Sequence, residues 1–214
     1  MTNIAVIDYD MGNLHSACKG LEKAGATPTI TDSAAKILNA DAVVLPGVGA
    51  FDPAMRHLRE RNLEAPIKQA IAQGKPFLGI CLGLQILFEG SEEGTESGLG
   101  IVAGMVRHFK REPEITIPHM GWNQLDLIQP QLPLWQQLNP NPYVYFVHSF
   151  YVDPLDSSIN AATVTHGTQT VTAAIARDNL MAVQFHPEKS SDNGLQILSN
   201  FVALVEQYQM VSSV

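Results

Sequence analysis

The sequence predicts an α/β fold. It is read as a single domain over residues 1–214, with a mostly parallel central sheet flanked by helices and an antiparallel or mixed extension. Three observations predict it. Strand and helix signals alternate through the first ninety or so residues, which implies parallel strands joined by crossover helices. The strands there are short and apolar throughout, as in a sheet covered on both faces. Past residue 100 the pattern changes to strand after strand with few helices between, and a single amphipathic segment closes the chain.

Ile4–Asp8 is a short apolar run that ends in the turn-rich segment Asp10-Met11-Gly12-Asn13. Leu14–Ala24 has helical spacing and stops at Gly25, and Thr27–Thr31 is β-branched. Ala42–Leu45 is read as a strand ended by Pro46-Gly47. Leu63–Ala72 is helical and stops at Gly74, and Phe77–Ile80 is the strand before Cys81. In the second part Ile101–Phe109, Tyr143–Val147, Ala161–Thr165, Val171–Arg177 and Met181–Phe185 read as strands. Gly194–Tyr208 carries apolar residues at Leu195, Leu198, Phe201, Val202 and Val205 and is the closing helix. No composition shift marks a boundary, and no repeat or low-complexity linker interrupts the chain.

Bulk properties narrow the function classes. A chain of 214 residues buries roughly 70% of its unfolded surface and needs no staple to fold. Thirteen basic against twenty-one acidic residues give a net charge of −8, which argues against nucleic acid as a partner. Two cysteines, Cys18 and Cys81, make no disulfide framework and fit a reducing compartment. The first residues lack a basic segment followed by a long apolar one, and no apolar run approaches the roughly 18 residues of a membrane span. A cytoplasmic protein without membrane contact is expected. The histidines and cysteines lack ligand spacing, so neither a metal site nor a cofactor is expected.

A lone cysteine in an apolar run is ordinarily a small buried hydrophobe, and Cys18 on its helix is read that way. Cys81 differs. Gly79-Ile80-Cys81-Leu82-Gly83 is G-x-C-x-G at a strand-to-helix junction, the cysteine counterpart of the nucleophile elbow. Side chains at the flanking positions would collide in so sharp a turn. A helix beginning at Cys81 would aim its amides and dipole at the sulfur and favour the thiolate. The position lies beyond the carboxyl end of a parallel strand, where doubly wound sheets hold their sites.

A cysteine nucleophile needs a histidine base and a group to orient it. Most of the seven histidines are expected on helix or strand surfaces. His186 follows the apolar strand Met181–Phe185 and precedes Pro187-Glu188. The proline directs the chain, and the carboxylate two residues on can hold the imidazole in the tautomer that accepts the thiol proton. Taken together, Gly79-Ile80-Cys81-Leu82-Gly83-Leu84-Gln85 and His186-Pro187-Glu188 resemble the class I, triad-type glutamine amidotransferases. The resemblance covers nearly the whole chain. It implies Cys81, His186 and Glu188 as a triad whose thiolate attacks the side-chain amide of glutamine, releasing ammonia and then glutamate.

Pro46-Gly47-Val48-Gly49-Ala50-Phe51 reads either as an ordinary turn or as a flexible loop that can aim an N–H at a developing oxyanion. Asp8–Leu14, Pro118–Asn123 and Tyr145–Phe150 are, by composition, turn-rich or strand segments. As a set these four segments resemble the family of glutaminase subunits of imidazole glycerol phosphate synthases. That likeness implies a partner, a separate (β/α)₈-barrel cyclase subunit that receives ammonia through the interface and makes imidazole glycerol phosphate for histidine synthesis. It implies Val48 and Gly49 as the oxyanion-hole peptide, with Leu82 N–H as the second donor. It implies Gln85 and Glu93 around the glutamine head group, with backbone groups of Ser149 and Phe150. Asn13, Trp122 and Tyr145 are implied around the ammonia exit. Lys189-Ser190 also matches this family, and Phe150 stands where tyrosine is common. Glu89, Glu92, Glu93 and Glu96 fit a merely solvated acidic loop equally well. Three other readings stay open: another class I glutaminase, a stand-alone cysteine γ-glutamyl hydrolase or peptidase, and a binding domain with a relic elbow. The segments at Pro46 and His119 weigh against the first.

Overall fold

The structure, a computed structural model, describes residues 2–212, and side chains up to residue 210. The chain begins with β1 (Asn3–Ile7), α1 (Leu14–Lys23), β2 (Thr27–Thr31), α2 (Ala34–Asn39), β3 (Ala42–Gly47), α3 (Phe51–Glu60), α4 (Glu64–Ala72), β4 (Phe77–Cys81) and α5 (Leu82–Gln85). It continues with β5 (Gly90–Ser91), β6 (Gly104–His108), β7 (His119–Gln124), β8 (Asp126–Leu127), β9 (Tyr143–His148) and β10 (Phe150–Pro154). It ends with β11 (Asn160–His166), β12 (Gln169–Arg177), β13 (Leu180–Val183) and α6 (Ser191–Ser212).

Among the described residues, eleven strands form one sheet. Its main path runs β2-β1-β3-β4-β13-β12-β10-β6-β5, with β11 and β8 extending from β12. The run from β2 to β13 is parallel, and β12, β10, β6 and β11 pair antiparallel. The expected parallel core with an antiparallel extension is therefore present. A separate two-stranded ribbon pairs β7 with β9, with Trp122 opposite Tyr145.

Alternation along the central strands explains their unbroken apolarity. Ile4, Val6, Ala42 and Val44 face one layer, closed by Leu21 of α1 and Leu198 and Phe201 of α6. Ala5, Ile7, Val43 and Leu45 face the other, closed by Ile37 of α2, Met55 and Leu58 of α3 and Ile67 of α4. Successive side chains of a strand point to opposite faces, so a strand with helices on both sides must be apolar at every position.

Several boundaries differ from the sequence expectation. β3 does not stop at Leu45. It continues through Pro46 and Gly47, which pair with Ile80 and Cys81, because a proline without an N–H can still accept in a parallel ladder. The strand expected from Ile101 begins at Gly104, whose φ of +130° sets the turn before it. α2 and α3 carry helical stripes that the sequence reading did not single out. In α3 the buried residues Phe51, Ala54, Met55 and Leu58 mark one face at helical spacing. The helix after Cys81 is one turn long, and the chain to Phe88 proceeds in turns, with Leu87 N–H on Leu84 O and Phe88 N–H on Gln85 O.

Candidate active site

Two neighbouring parallel strands, β4 and β13, bring the expected triad together. Cys81 ends β4 with φ +55° and ψ −110°, a conformation that costs a non-glycine residue about 1–3 kcal/mol. The surrounding glycines make the turn feasible. A β-carbon on Gly83 would overlap the Leu45 carbonyl oxygen, and one on Gly79 would lie 2.9 Å from the Gly83 carbonyl oxygen. Cys81 is thus on a strained elbow. With α5 four residues long, however, the aligned dipoles expected behind it amount to one turn.

His186 leaves the end of β13, and its N–H donates to Tyr145 O at 3.0 Å. Glu188 stands on the 3₁₀ turn Pro187–Lys189 and places Oε1 2.7 Å from His186 Nδ1. Both side chains are buried. His186 Nε2 is left buried without a hydrogen-bond partner, and the ring shares a cavity with Cys81. Burial opposes charge on this ring, but the Cys81 sulfur and the Glu188 carboxylate outweigh it and raise its pKa to about 9. Ser190, expected only as a family match, ties the segment down: its hydroxyl donates to His186 O at 2.6 Å and accepts from Tyr145 N–H at 2.9 Å.

The cavity has a volume of about 300 Å³ and is lined by Val48, Gly49, Cys81, Leu82, Gln85, Glu93, His148, Ser149, Phe150 and His186, among others. All the residues expected to form the oxyanion hole and to hold the head group therefore meet here. The Val48 N–H is turned to the Met11 carbonyl at 3.3 Å. Glu93 caps the start of α3, its Oε2 accepting from Phe51 N–H at 2.9 Å. The other three acids of its loop are engaged as well, Glu89 by Gly104 N–H, Glu92 by Arg107 and Glu96 by Arg59. Glu89, Glu92 and Glu93 are nonetheless exposed and Glu96 is half-buried, so the loop is both solvated and tied down. Asn13 caps α1 through Ser16 N–H at 3.2 Å. Trp122 and Tyr145 meet edge to face on the ribbon at 6.1 Å, and Trp122 is 53% exposed.

The expectation of surface histidines fails for two of them. His119 and His148 are buried, with His119 Nδ1 3.0 Å from His148 Nε2. His119 Nε2 lies 3.1 Å from Asn123 Nδ2, and His148 Nδ1 lies 2.8 Å from Phe150 O. Burial, with neighbouring His166, lowers His119 to about 4. Burial also lowers His148, to about 3, against the pull of the Phe150 carbonyl. The ribbon folds their faces inward, and no local motif announces this. Gln184 was likewise not foreseen. It has no exposed surface, and its amide touches both Gln85 and Cys81. A lone polar residue inside Met181–Phe185 was the only signal. Cys18 is buried on α1, as expected.

A family model described as glutamine amidotransferase class-I matches residues 5–205. The subunit HisH of imidazole glycerol phosphate synthase from Gloeothece citriformis is 76% identical over 202 residues, covering 94% of this chain and 96% of that one. The chain belongs to the class-I glutamine amidotransferases and, within them, to the HisH family. HisH of Microcystis aeruginosa is 73% identical over 99% of this amidotransferase and 100% of its own length. Solved structures give the same fold at low identity. PurLQS from Thermotoga maritima superposes with a TM-score of 0.71 at 19% identity, over 97% and 99% of the two chains. The glutaminase domain of Trypanosoma brucei CTPS, solved with acivicin, gives 0.71 at 16%, over 97% and 94%. Among the described residues, no group of three or more His, Cys, Asp or Glu is arranged to hold a metal ion.

Proposed function

We propose that this chain is the glutaminase subunit of an imidazole glycerol phosphate synthase, releasing ammonia from glutamine for a (β/α)₈-barrel cyclase partner. The observation that carries the reading is Cys81 on its elbow in one cavity with His186, itself held by Glu188 at 2.7 Å. The relatives at 76% and 73% identity bear the name of that subunit.

In the proposed mechanism the Cys81 thiolate attacks the side-chain carbonyl carbon of glutamine. The carbonyl π electrons move to oxygen, stabilised by Leu82 N–H and by a second N–H from the Val48–Gly49 segment. The tetrahedral intermediate collapses to a thioester as His186 Nε2–H passes its proton to the departing nitrogen, which leaves as ammonia. Neutral His186 then takes a proton from water. The hydroxide adds to the thioester, and glutamate leaves as the thiolate returns. Gln85 and Glu93, with the backbone of Ser149 and Phe150, hold the head group. Glu188 keeps Nε2 as the working nitrogen by occupying Nδ1.

Two observations support a dependence on the partner. The Val48 N–H is committed to Met11 O, so the oxyanion hole lacks that donor in this state. Val48 on the cavity wall and Met120, Trp122 and Tyr143 on the β7–β9 ribbon expose apolar surface, the makings of a docking face. Asn13, Trp122 and Tyr145 would lie around the ammonia exit. No helix among the described residues is long and apolar enough to cross a membrane, and action in the cytoplasm is part of the proposal.

Restoring one oxyanion donor is worth on the order of 3 kcal/mol, a hundredfold or more in rate. Glutaminase turnover is therefore expected to rise at least about that much when the cyclase and its ligand are added. Cys81→Ala is expected to abolish glutamine-dependent synthesis by the complex and to spare ammonia-dependent synthesis. Equal glutaminase rates with and without the cyclase would sink the partner dependence. Glutamine-dependent synthesis that survives Cys81→Ala would sink the nucleophile.

A further inference from the structure

Gln184 has no exposed surface and sits directly after β13, where its N–H donates to Ala173 O at 2.8 Å. A primary amide carried into an apolar core needs partners at both ends. Its Oε1 accepts from Gln85 Nε2 at 3.1 Å. Its own Nε2 lies 3.7 Å from Cys81 Sγ, within reach of a hydrogen bond to sulfur. Gln85 is held in turn by a donation to Phe150 O at 3.2 Å. With its oxygen bound to Gln85, the Gln184 amide has only one way to face, and its N–H groups point at the nucleophile.

We infer that Gln184 is a further catalytic residue of glutamine hydrolysis, its side-chain N–H donating to the Cys81 sulfur and favouring thiolate over thiol, with Gln85 as the positioning residue that orients it. The inference deepens the glutaminase reading and rests on it. A neutral thiol accepts hydrogen bonds weakly, whereas a thiolate accepts a charge-assisted bond about twice as strong as a neutral one. The donation therefore discriminates between the two forms, the more so in a cavity shielded from water. Such a donor is needed here because α5 is one turn long. Unlike an imidazole, the Gln184 amide donates to this sulfur whatever the pH. The titratable groups around the sulfur are His186, His148 and Glu93 on the cavity wall and Tyr9 behind it, and His148, lowered to about 3, carries no charge near neutral pH. Of these, only protonated His186 favours a thiolate. When the thioester forms, the sulfur loses its charge and the bond slackens; when glutamate leaves, the thiolate and the bond return. Gln184 thus assists both nucleophilic attack and thiolate departure.

The test compares the full-length chain with Gln184→Met, which keeps length and packing but cannot donate. The rate of Cys81 alkylation by iodoacetamide is followed against pH, read by mass spectrometry of the Cys81 peptide so that Cys18 does not contribute. Losing the bond is expected to move the alkylation midpoint up by about one pH unit. It is also expected to lower glutaminase kcat in the cyclase complex about tenfold, with KM for glutamine within about twofold. An unchanged midpoint overturns the inference, as does a change in KM alone. Should Gln184→Met fail to fold, a second non-donating variant takes its place. A carboxyl group at this fully buried position would be protonated and could still donate, so the fallback is Gln184→Leu, whose side chain has no N–H or O–H, and a midpoint no higher than that of the native chain is again decisive. Alkylation needs no glutamine. A native chain that alkylates as expected yet never hydrolyses glutamine would defeat the glutaminase reading, while a flat response to substitution would defeat the role of Gln184.

Discussion

At the scale of single residues, two buried polar groups stand out beside the triad. The Tyr9 hydroxyl is fully buried without a hydrogen-bond partner, and it lies where a β-carbon on Gly47 would overlap it. Burial, and then the charge at Cys81, push its phenol far above the ordinary range, so it stays neutral. An unpaired buried hydroxyl costs about 1–3 kcal/mol. Tyr9→Phe is therefore expected to raise the thermal midpoint by a few degrees, at about 2–4 °C per kcal/mol for a chain of this size. Scanning calorimetry checks it, and a lower midpoint would mean the hydroxyl has a partner. The residues legible in the sequence were those with a local signature: Cys81 between two glycines, and His186 two residues from its carboxylate. Gln184 and His119 are not legible because Gln85, Cys81 and His148, which they touch, lie tens of residues away in sequence, and Tyr9 is not legible because its hydroxyl has no partner to signal it.

Among the elements, the elbow is the least tolerant. The β4–α5 turn packs Gly83 so closely on β3 that a methyl group has nowhere to go except into the Leu45 carbonyl. Gly83→Ala is expected to cost about 3 kcal/mol or more, since relief requires moving a central strand. Urea unfolding monitored by tryptophan fluorescence measures this, and a loss under about 1 kcal/mol would show that β3 yields easily. The same element shows why some boundaries were missed. The apolar run after Cys81 looked helical because buried turns and buried helices share a composition. The structure ends the helix at Gln85, which directs that side chain to Gln184 and Phe150 instead of along a helix face. α2 and α3 lack a local start signal, because α2 is only six residues long and α3 takes its cap from Glu93, 42 residues on, rather than from Ala50.

For the molecule as a whole, the site lies on the seam between two kinds of sheet. The parallel half supplies Cys81, β13 leads out to His186, and the ribbon of β7 and β9 closes the far wall with Val147 and His148, the latter backed by His119. That wall makes the fold sensitive to acid. Both rings have lowered folded-state pKa values, about 4 and about 3, against 6.5 when unfolded. Stability is full above pH about 6.5, where the unfolded imidazoles are neutral too, and is lost as pH falls from there toward the folded values. At pH 5 the loss is on the order of 2 kcal/mol for His148 alone. The urea midpoint is expected to drop between pH 7.5 and 5.0 in the native chain and to drop less in a His119→Asn, His148→Gln double variant. Equal drops would remove the histidines from the explanation. The fold class was legible from alternation and apolarity, which are properties of whole strands. The ribbon was not, since its inward face is lined with histidines that resemble surface residues.

The contacts of that histidine pair admit one arrangement of hydrogens. The Phe150 carbonyl can only accept, so His148 carries its hydrogen on Nδ1 and leaves Nε2 bare. The bare Nε2 must then receive from Nδ1–H of His119, whose own Nε2 is left to accept from the Asn123 amide. Asn123 has no freedom to turn over either, because its oxygen takes Gln124 N–H and its nitrogen also serves Thr165 O. Two hydrogens are thus distributed over four ring nitrogens in a single way. The interior beneath the ribbon casts the same field on the Phe150 carbonyl in every copy of the molecule.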